Sequence, residues 1–548
     1  MRNSRRTWVL AAVAAGALGL SACAGTPGSG AGGDGAAGAD AVTVAVAALP
    51  TSYDLEGAWN ASNENYTAWT QLHANLLNYK YVEKDGVMVQ DFTQFEGVLA
   101  DADNPYEISD DGQTYTFHLR EGVVSQAGNP LTAEDVRWSI ERKLEVAGGR
   151  LPQVADYFNS VDQVEVIDDH TIAFHLDGVG NDNVFLPILT GQMGHIWDKK
   201  AMEEHATEDD PWAVEWATQN SGAGFGPYEV SSETEGQQLV LEANPDYVLG
   251  EPAVKSVTMQ VVPDSGTRAT MLNSGDVDVA ESLSPTDLAA VAGQESVQIP
   301  SVENSIEFLD LSLLENKAPF DDQLVRQAFN YAIPYDKIID QVYQGYAKPS
   351  PGWFTPTMGV PDLSTEPAYS YDPDKAKELL DEAGKSSVDV TLTVSNAVPD
   401  IIDTALLIAS DAKDAGFNVQ VEQASAADFG TGRAEQTFQA LIAPMRVQIQ
   451  VPSFVNNFFL PGDPSNTSAF QPTQEWKDLM KTAIDAGEAT SEEAAPHWRA
   501  VNDFINQDAS HMAMLYKQPN QAFSTSLDGM SYRYDNTVDY AVLKPAGE

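Results

Sequence analysis

A single cysteine, Cys23, occurs in 548 residues, and that fact removes the largest set of ways to hold such a chain together. No disulfide can close within the chain, and no thiolate metal or cluster site can be built. The fold must therefore rest on apolar cores, and the length allows two or three of them. Material for those cores is present: hydrophobic residues make up 43% and charged residues 20%, as in ordinary soluble proteins.

The position of the cysteine adds a second constraint. Arg2, Arg5 and Arg6 precede an uncharged, Ala-rich apolar run from Thr7 to Ala22. This is a basic region followed by an apolar region too short to span a bilayer comfortably, the pattern of an export signal. It ends in Leu20-Ser21-Ala22-Cys23, which resembles the bacterial lipobox. The resemblance implies cleavage before Cys23 and a diacylglycerol on its thiol. A diacyl anchor also makes physical sense, because one acyl chain holds a protein only marginally. Ser4-Arg5-Arg6-Thr7-Trp8-Val9 looks like a twin-arginine signal as well, and the general and twin-arginine routes both stay open. Ala24 to Asp40 is mostly Gly, Ala and Ser and reads as a flexible tether. No later stretch is long and apolar enough to cross a membrane. The expected location is the outer face of the cytoplasmic membrane, with Cys23 as anchor.

Charge excludes one class of partner. The chain carries 81 Asp+Glu against 30 Lys+Arg, a formal net charge of −51. Such a field repels nucleic acid phosphates. The excess is spread along the whole chain, so it reads as a solvated acidic surface and not as a site.

The pattern along the body is mixed α and β. Val42 to Val46 has strand composition. Thr114 to Leu119 and Thr171 to Leu176 alternate, share the spacing Asp-x-x-Thr-x-x-Phe-His-Leu, and are expected to pair in one antiparallel sheet. Asp321 or Asp322 is placed to cap a helix through Leu324, Val325, Ala328, Phe329 and Ala332. Asp372-Pro373 starts another, stopped by Gly384. Thr404 to Ala415 reads as a third, ended by Gly416, with a strand beginning at Val419. Trp212 and Trp216 stand at i,i+4 helical spacing and are expected to pack.

Five segments resemble the family 5 extracellular solute-binding proteins, the oligopeptide- and dipeptide-binding type that feeds ABC importers. They are Ser109 to Val123 with Leu131 to Val136 and Ser139 to Arg142; Gly224 to Tyr228 with Asn244 to Tyr247 and Gly250-Glu251-Pro252; Gly275 to Asp278; Pro319 to Asp322 with Val325 to Ala328 and Tyr331 to Ile333; and Tyr371 to Pro373 with Ala376, Leu379-Leu380 and Ala383-Gly384. The resemblance implies an α/β, two-lobed, periplasmic-binding-protein-like fold of the large three-domain type, with a hinge between the lobes. The implied boundaries are 1–22 for the signal, 23–40 for the tether, 41–75, 221–301 and 517–548 for domain I, 76–220 for domain II and 302–516 for domain III. Arg120, Glu134, Asp135, Arg142 and Arg326 are expected as structural ion-pair or capping residues.

The implied function is capture of a small solute, a peptide or related polar metabolite, for delivery to an ABC permease and ATPase complex. A saccharide or opine-like ligand, and a sensor or scaffold lipoprotein, are the alternatives. A monomer is expected, with no cofactor, no metal and no catalysis. The eight His are scattered, and no HExxH, P-loop or GxSxG occurs. Peptide-binding members carry a Gly-Trp-x-x-Asp segment whose aspartate pairs with the ligand's ammonium. Here the stretch reads Ala443-Pro444-Met445-Arg446-Val447-Gln448-Ile449. The aspartate is absent, which puts that mode of peptide binding in doubt. Arg446 and Gln448 are expected to face the cleft and favour an anionic or hydroxyl-rich solute. Asn456, Asn457, Trp353 and Phe354 would add amides and stacking faces, and Leu49, Tyr157 and Met445 complete the candidate ligand contacts.

Overall fold

The computed structural model describes residues 40–54, 56, 63–146, 160–176, 182–191, 194–302, 306–447 and 449–547. Strand Ala41–Val46 is buried on both faces at Val42, Val44, Ala45 and Val46. A strand so apolar on both sides suits the middle of a parallel group. It pairs in parallel with Ser256–Val261 on one edge and Val279–Ala280 on the other. Antiparallel strands extend the sheet to seven, in the order Val297–Gln298, Ala522–Ser524, Val279–Ala280, Ala41–Val46, Ser256–Val261, Gln238–Ala243, Tyr228–Thr234. Residues from the start, middle and end of the chain thus share one sheet.

The long insertion between Val46 and Tyr228 holds two smaller sheets. Leu77–Lys84 and Val87–Gly97 form a hairpin, with Asp85 and Gly86 both at positive φ (52° and 81°) as a two-residue turn of this hand requires. Ser531–Tyr532 adds to it in parallel. The strands expected to pair do so: Thr114–His118 lies antiparallel to Thr171–His175, with Phe117 opposite Ile172. Tyr106–Ile108 and Val164–Asp168 flank them. Tyr115, Phe117, Ile172 and Phe174 line the buried face.

The second large sheet is continuous in sequence. Its order is Ala347–Pro349, His511–Lys517, Glu307–Leu313, Ala440–Arg446, Val388–Ser395, Phe417–Ala424. All seven residues of Glu307–Leu313 are buried, as befits a central strand. The capping expectations hold. The Asp322 carboxylate accepts from Leu324 N–H ahead of helix Gln323–Tyr331, and Asp372 accepts from Lys375 N–H ahead of helix Pro373–Glu382. Gly384 follows at φ 71°. One boundary differs. The helix expected from Thr404 begins at Pro399 and runs to Asp411, passing into a 3-10 turn Ala412–Ala415 before Gly416. Proline fits the first helical turn, where its missing N–H has no partner to lose, and this signal marks the earlier start. The next strand begins at Phe417, two residues before Val419.

The arginines expected as structural are tied into the scaffold. Arg142 is fully buried and pairs with Asp54 (2.6 Å) and with Glu56. Arg326 pairs with Asp508 at 2.8 Å and Glu315 at 3.4 Å. Arg120 donates to the carbonyls of Gly97 and Ala100. Asp135 accepts from the Thr132 and Lys199 N–H groups, while Glu134 meets Lys199 at the surface. Trp212 packs on Trp138 and Trp216 stacks on His205, with ring centroids 5.5 Å and 4.0 Å apart.

Candidate ligand-binding site

The chain passes between the seven-stranded and six-stranded sheets twice, once between Gln298 and Glu307 and once between Lys517 and Ala522. Val302 N–H donates to Gln518 Oε1 at 3.0 Å and ties the crossings together, and next to them Asn536 Nδ2 donates to Glu307 Oε2 at 2.7 Å. Beside them lies a cavity of about 750 Å³, within the range of small-molecule sites. One wall comes from residues 263–288 and the other from residues 307–446, with Lys517, Gln518 and Asn520 bridging.

Strand register assembles its charged floor. Glu307 is opposite Arg446 on one side. On the other, Phe308 is opposite Tyr516, so Lys517 falls beside Glu307. Lys517 Nζ is 2.9 Å from Glu307 Oε1 and 3.8 Å from Asp400 Oδ2. Asp400 arrives from the first turn of helix Pro399–Asp411, and Tyr343 O–H donates to it at 2.9 Å. Burial alone would raise the Glu307 carboxyl, but Lys517 and then Arg446 outweigh it and hold the group below the usual carboxylate range. Burial also lowers the Lys517 ammonium, while Glu307 and Asp400 push it above its ordinary value.

The opposite wall is more neutral. Arg268, almost fully buried, spends its donors on the carbonyls of Val262, Pro263, Glu281 and Ser282. It fixes the loop that offers Ser282 and Ser284 to the cavity. Behind this loop the Glu281 carboxylate accepts from Tyr540 O–H at 2.7 Å. Its pKa is pushed up to about 7, chiefly by burial.

The structure sorts the candidate contacts. Arg446 is half-buried on the cavity wall and donates through Nη1 to the Asp535 carbonyl. Met445 next to it is half-buried against the core, with its sulfur 4.0 Å from Arg433 Nη2. Trp353 and Phe354, expected as stacking faces, do not line this cavity. Both are fully buried, so neither offers a free stacking face. Trp353 donates from Nε1 to the His511 carbonyl at 2.6 Å and packs on Phe308 and Phe458. The physical reason is that these rings fill the core beneath the six-stranded sheet. Asn456 and Asn457 are half-buried on the 3-10 segment Pro452–Phe459, away from this cavity's wall. Leu49 packs on the core of the seven-stranded sheet. Cys23, Tyr157 and Gln448 lie outside the described residues.

Sequence reasoning missed Glu307, Lys517, Asp400 and Tyr343. Only register joins the first two to Arg446. A helix start read correctly at Pro399 would have flagged Asp400.

Comparison with known proteins agrees with this architecture. A family model described as "Bacterial extracellular solute-binding proteins, family 5 Middle" matches residues 95–466. The probable D,D-dipeptide-binding periplasmic protein DdpA of Escherichia coli is 26% identical over 497 residues, covering 90% of this chain and 92% of that protein. Among solved structures, the ABC transporter-associated periplasmic binding protein DppA of Helicobacter pylori, in complex with the peptide STSA, superposes with a TM-score of 0.74 at 23% identity, covering 92% and 98% of the two chains. NikA of Brucella suis, in complex with Fe(III)-EDTA, gives 0.76 at 18% identity over 92% and 99%. The α/β, two-lobed fold class is thereby established, and the chain belongs to the bacterial extracellular solute-binding proteins, family 5.

Proposed function

We propose that this protein is the exported receptor of an ABC importer, which encloses a small polar solute in the 750 Å³ cavity and presents it to a permease. The observation that carries the reading is the cavity's construction: its two walls come from the units built on different large sheets, and the chain crosses between those sheets twice beside it. A solute touching both walls favours the closed state over the open one. Shifting the population from 1:99 to 99:1 takes about 5.5 kcal/mol of differential binding. On this reading the moving halves are domains I and II, from residues 41–301 and 517–548, and domain III, from 302–516. Cys23 carries the lipid that keeps the receptor at the envelope, and the protein works as a monomer.

The ligand we infer is a short peptide or a related polar metabolite bearing a carboxylate. Arg446 and Lys517 supply the cations that read the carboxylate, and the serines of the facing loop supply neutral hydrogen bonds. Asp400 and Asp403 leave room for a cationic end, which keeps peptides within reach despite the missing aspartate. Native mass spectrometry of the purified protein will identify the retained ligand. Calorimetry with that ligand should then show at least a tenfold loss of affinity in Arg446→Ala, since hydrogen bonds to charged groups are worth about 1.5–3 kcal/mol. Unchanged affinity removes Arg446 from the site.

A further inference from the structure

Asn536 stands between the two crossings and binds both. Its Nδ2 donates to Glu307 Oε2 at 2.7 Å, where the first crossing enters the six-stranded sheet. Its carbonyl accepts from Gln521 Nε2 on the second crossing at 2.6 Å, and its Oδ1 lies 3.3 Å from the same nitrogen. Asn536 is 4% exposed, so these bonds form away from competing water.

The backbone explains why asparagine is there. Asn536 has φ 57°, a left-handed conformation that Gly, Asn and Asp enter most readily. Glycine has no amide side chain, and aspartate would present a carboxylate to Glu307. Asparagine combines the turn with a donor. The turn itself rests on firm supports. The Asp535 carboxylate accepts from Thr537 N–H and Oγ1–H at 3.1 and 2.7 Å. Tyr534 N–H donates to Gln90 Oε1 at 2.9 Å, and Gln71 Nε2 donates to the Val538 carbonyl at 3.0 Å. Strand Val87–Gly97 and helix Asn63–Leu72 thus hold the segment from behind while Asn536 reaches the six-stranded sheet.

What it reaches is the charged floor of the large cavity. Glu307 divides its carboxylate: Oε1 meets Lys517 Nζ at 2.9 Å, and Oε2 accepts from Asn536. Arg446, opposite Glu307 in the strand register, donates to the carbonyl of Asp535. Two cavity residues from 302–516 are therefore held by consecutive residues from 517–548.

We propose that Asn536 is a positioning residue at the hinge: it fixes the Glu307 carboxylate, and through it the Lys517 ammonium, at one angle between the halves. Rotation of the halves withdraws Asn536, so the cations that meet the solute are set in place by closure. Setting them for a solute presupposes the receptor function proposed above, whereas bracing the two crossings does not.

The test is hydrogen exchange of the ligand-free full chain, read by mass spectrometry on peptides that cover the crossings. Val302 N–H, bonded to Gln518 Oε1, and Ile306 N–H, bonded to the Tyr532 hydroxyl oxygen, report opening there. Asn536→Gly keeps the left-handed turn and removes the amide. Exchange in the crossings should run about ten- to hundredfold faster than in wild type, the worth of a hydrogen bond to a charged group, with peptides elsewhere unchanged. Asn536→Asp keeps the size but sets a carboxylate against Glu307. It should be the faster of the two, an order that loss of packing alone reverses. Adding Glu307→Gln to Asn536→Asp exchanges amide and carboxylate between the two positions and should slow the crossings back toward wild type. Should Asn536→Asp not fold, Asn536→Gly and the double variant carry the test. Crossings no faster than wild type, Asn536→Asp milder than Asn536→Gly, no rescue in the double variant, or equal acceleration in every peptide overturns the proposal. No ligand is present, so the result is independent of whether Arg446 reads a carboxylate.

Discussion

Glu281→Gln should make the protein more stable, by an amount that grows as pH rises from about 4.5 to 7. The carboxyl sits behind the cavity loop, 9% exposed, accepting from Tyr540 O–H. Burial raises its pKa from 4.5 to about 7. The folded state therefore binds more protons than the unfolded state between those values, and stability falls as pH rises through that window. At 1.36 kcal/mol per unit, a rise of about 2.5 units makes the full penalty about 3 kcal/mol, reached above pH 7. Glutamine keeps the size and the acceptor for Tyr540 but never ionises. Urea unfolding of both proteins, followed by tryptophan fluorescence at half-unit steps from pH 5 to pH 8, gives the difference directly. Titrations elsewhere largely cancel in that difference. The variant should be about 1 kcal/mol more stable than wild type at pH 5 and about 3 kcal/mol more stable at pH 8. A difference that stays flat with pH, or a variant less stable at pH 8, refutes the reasoning.

Two further substitutions test the scaffold. Arg142→Met takes the guanidinium away from the buried carboxylates of Asp54 and Glu56 and leaves Lys143 and His195 beside Glu56, and urea unfolding should show a loss of about 3–5 kcal/mol; a loss under 1 kcal/mol would mean the pair is not buried in solution. Trp353→Phe removes the indole bond to the His511 carbonyl and should cost about 1–3 kcal/mol, while calorimetry with the retained ligand shows unchanged affinity; a tenfold weaker ligand with unchanged stability would return Trp353 to the binding site.

Local chemistry announces itself in this sequence, and long-range register does not. Asp322, Asp372 and Gly384 mark helix ends because caps and left-handed stops act within four residues. The alternation at Thr114 to His118 and Thr171 to His175 reveals a pair of strands because one face of each is buried. Arg446 is noticeable because it stands near the aspartate position that the family resemblance implies. Its neighbours Glu307 and Lys517 are 139 and 71 residues away and meet it only through strand pairing. Two aromatics show the same limit from the other side. Trp353 and Phe354 form an apolar pair in a loop, which reads equally well as a ligand platform or a core plug. What decides is the burial that residues around His511 and Phe458 impose.

The pairing of Ala41–Val46 also governs when this protein can fold. Ala41 aligns with Ser256 and Val44 with Val279, so its opening strand has no partner until more than two hundred residues have followed it. At about 5–20 residues per second of synthesis, that wait is on the order of ten seconds to a minute. Throughout it, an apolar strand with two open edges stands exposed, a template for misassociation. Any truncation before Ser256 leaves that strand without either of its parallel partners.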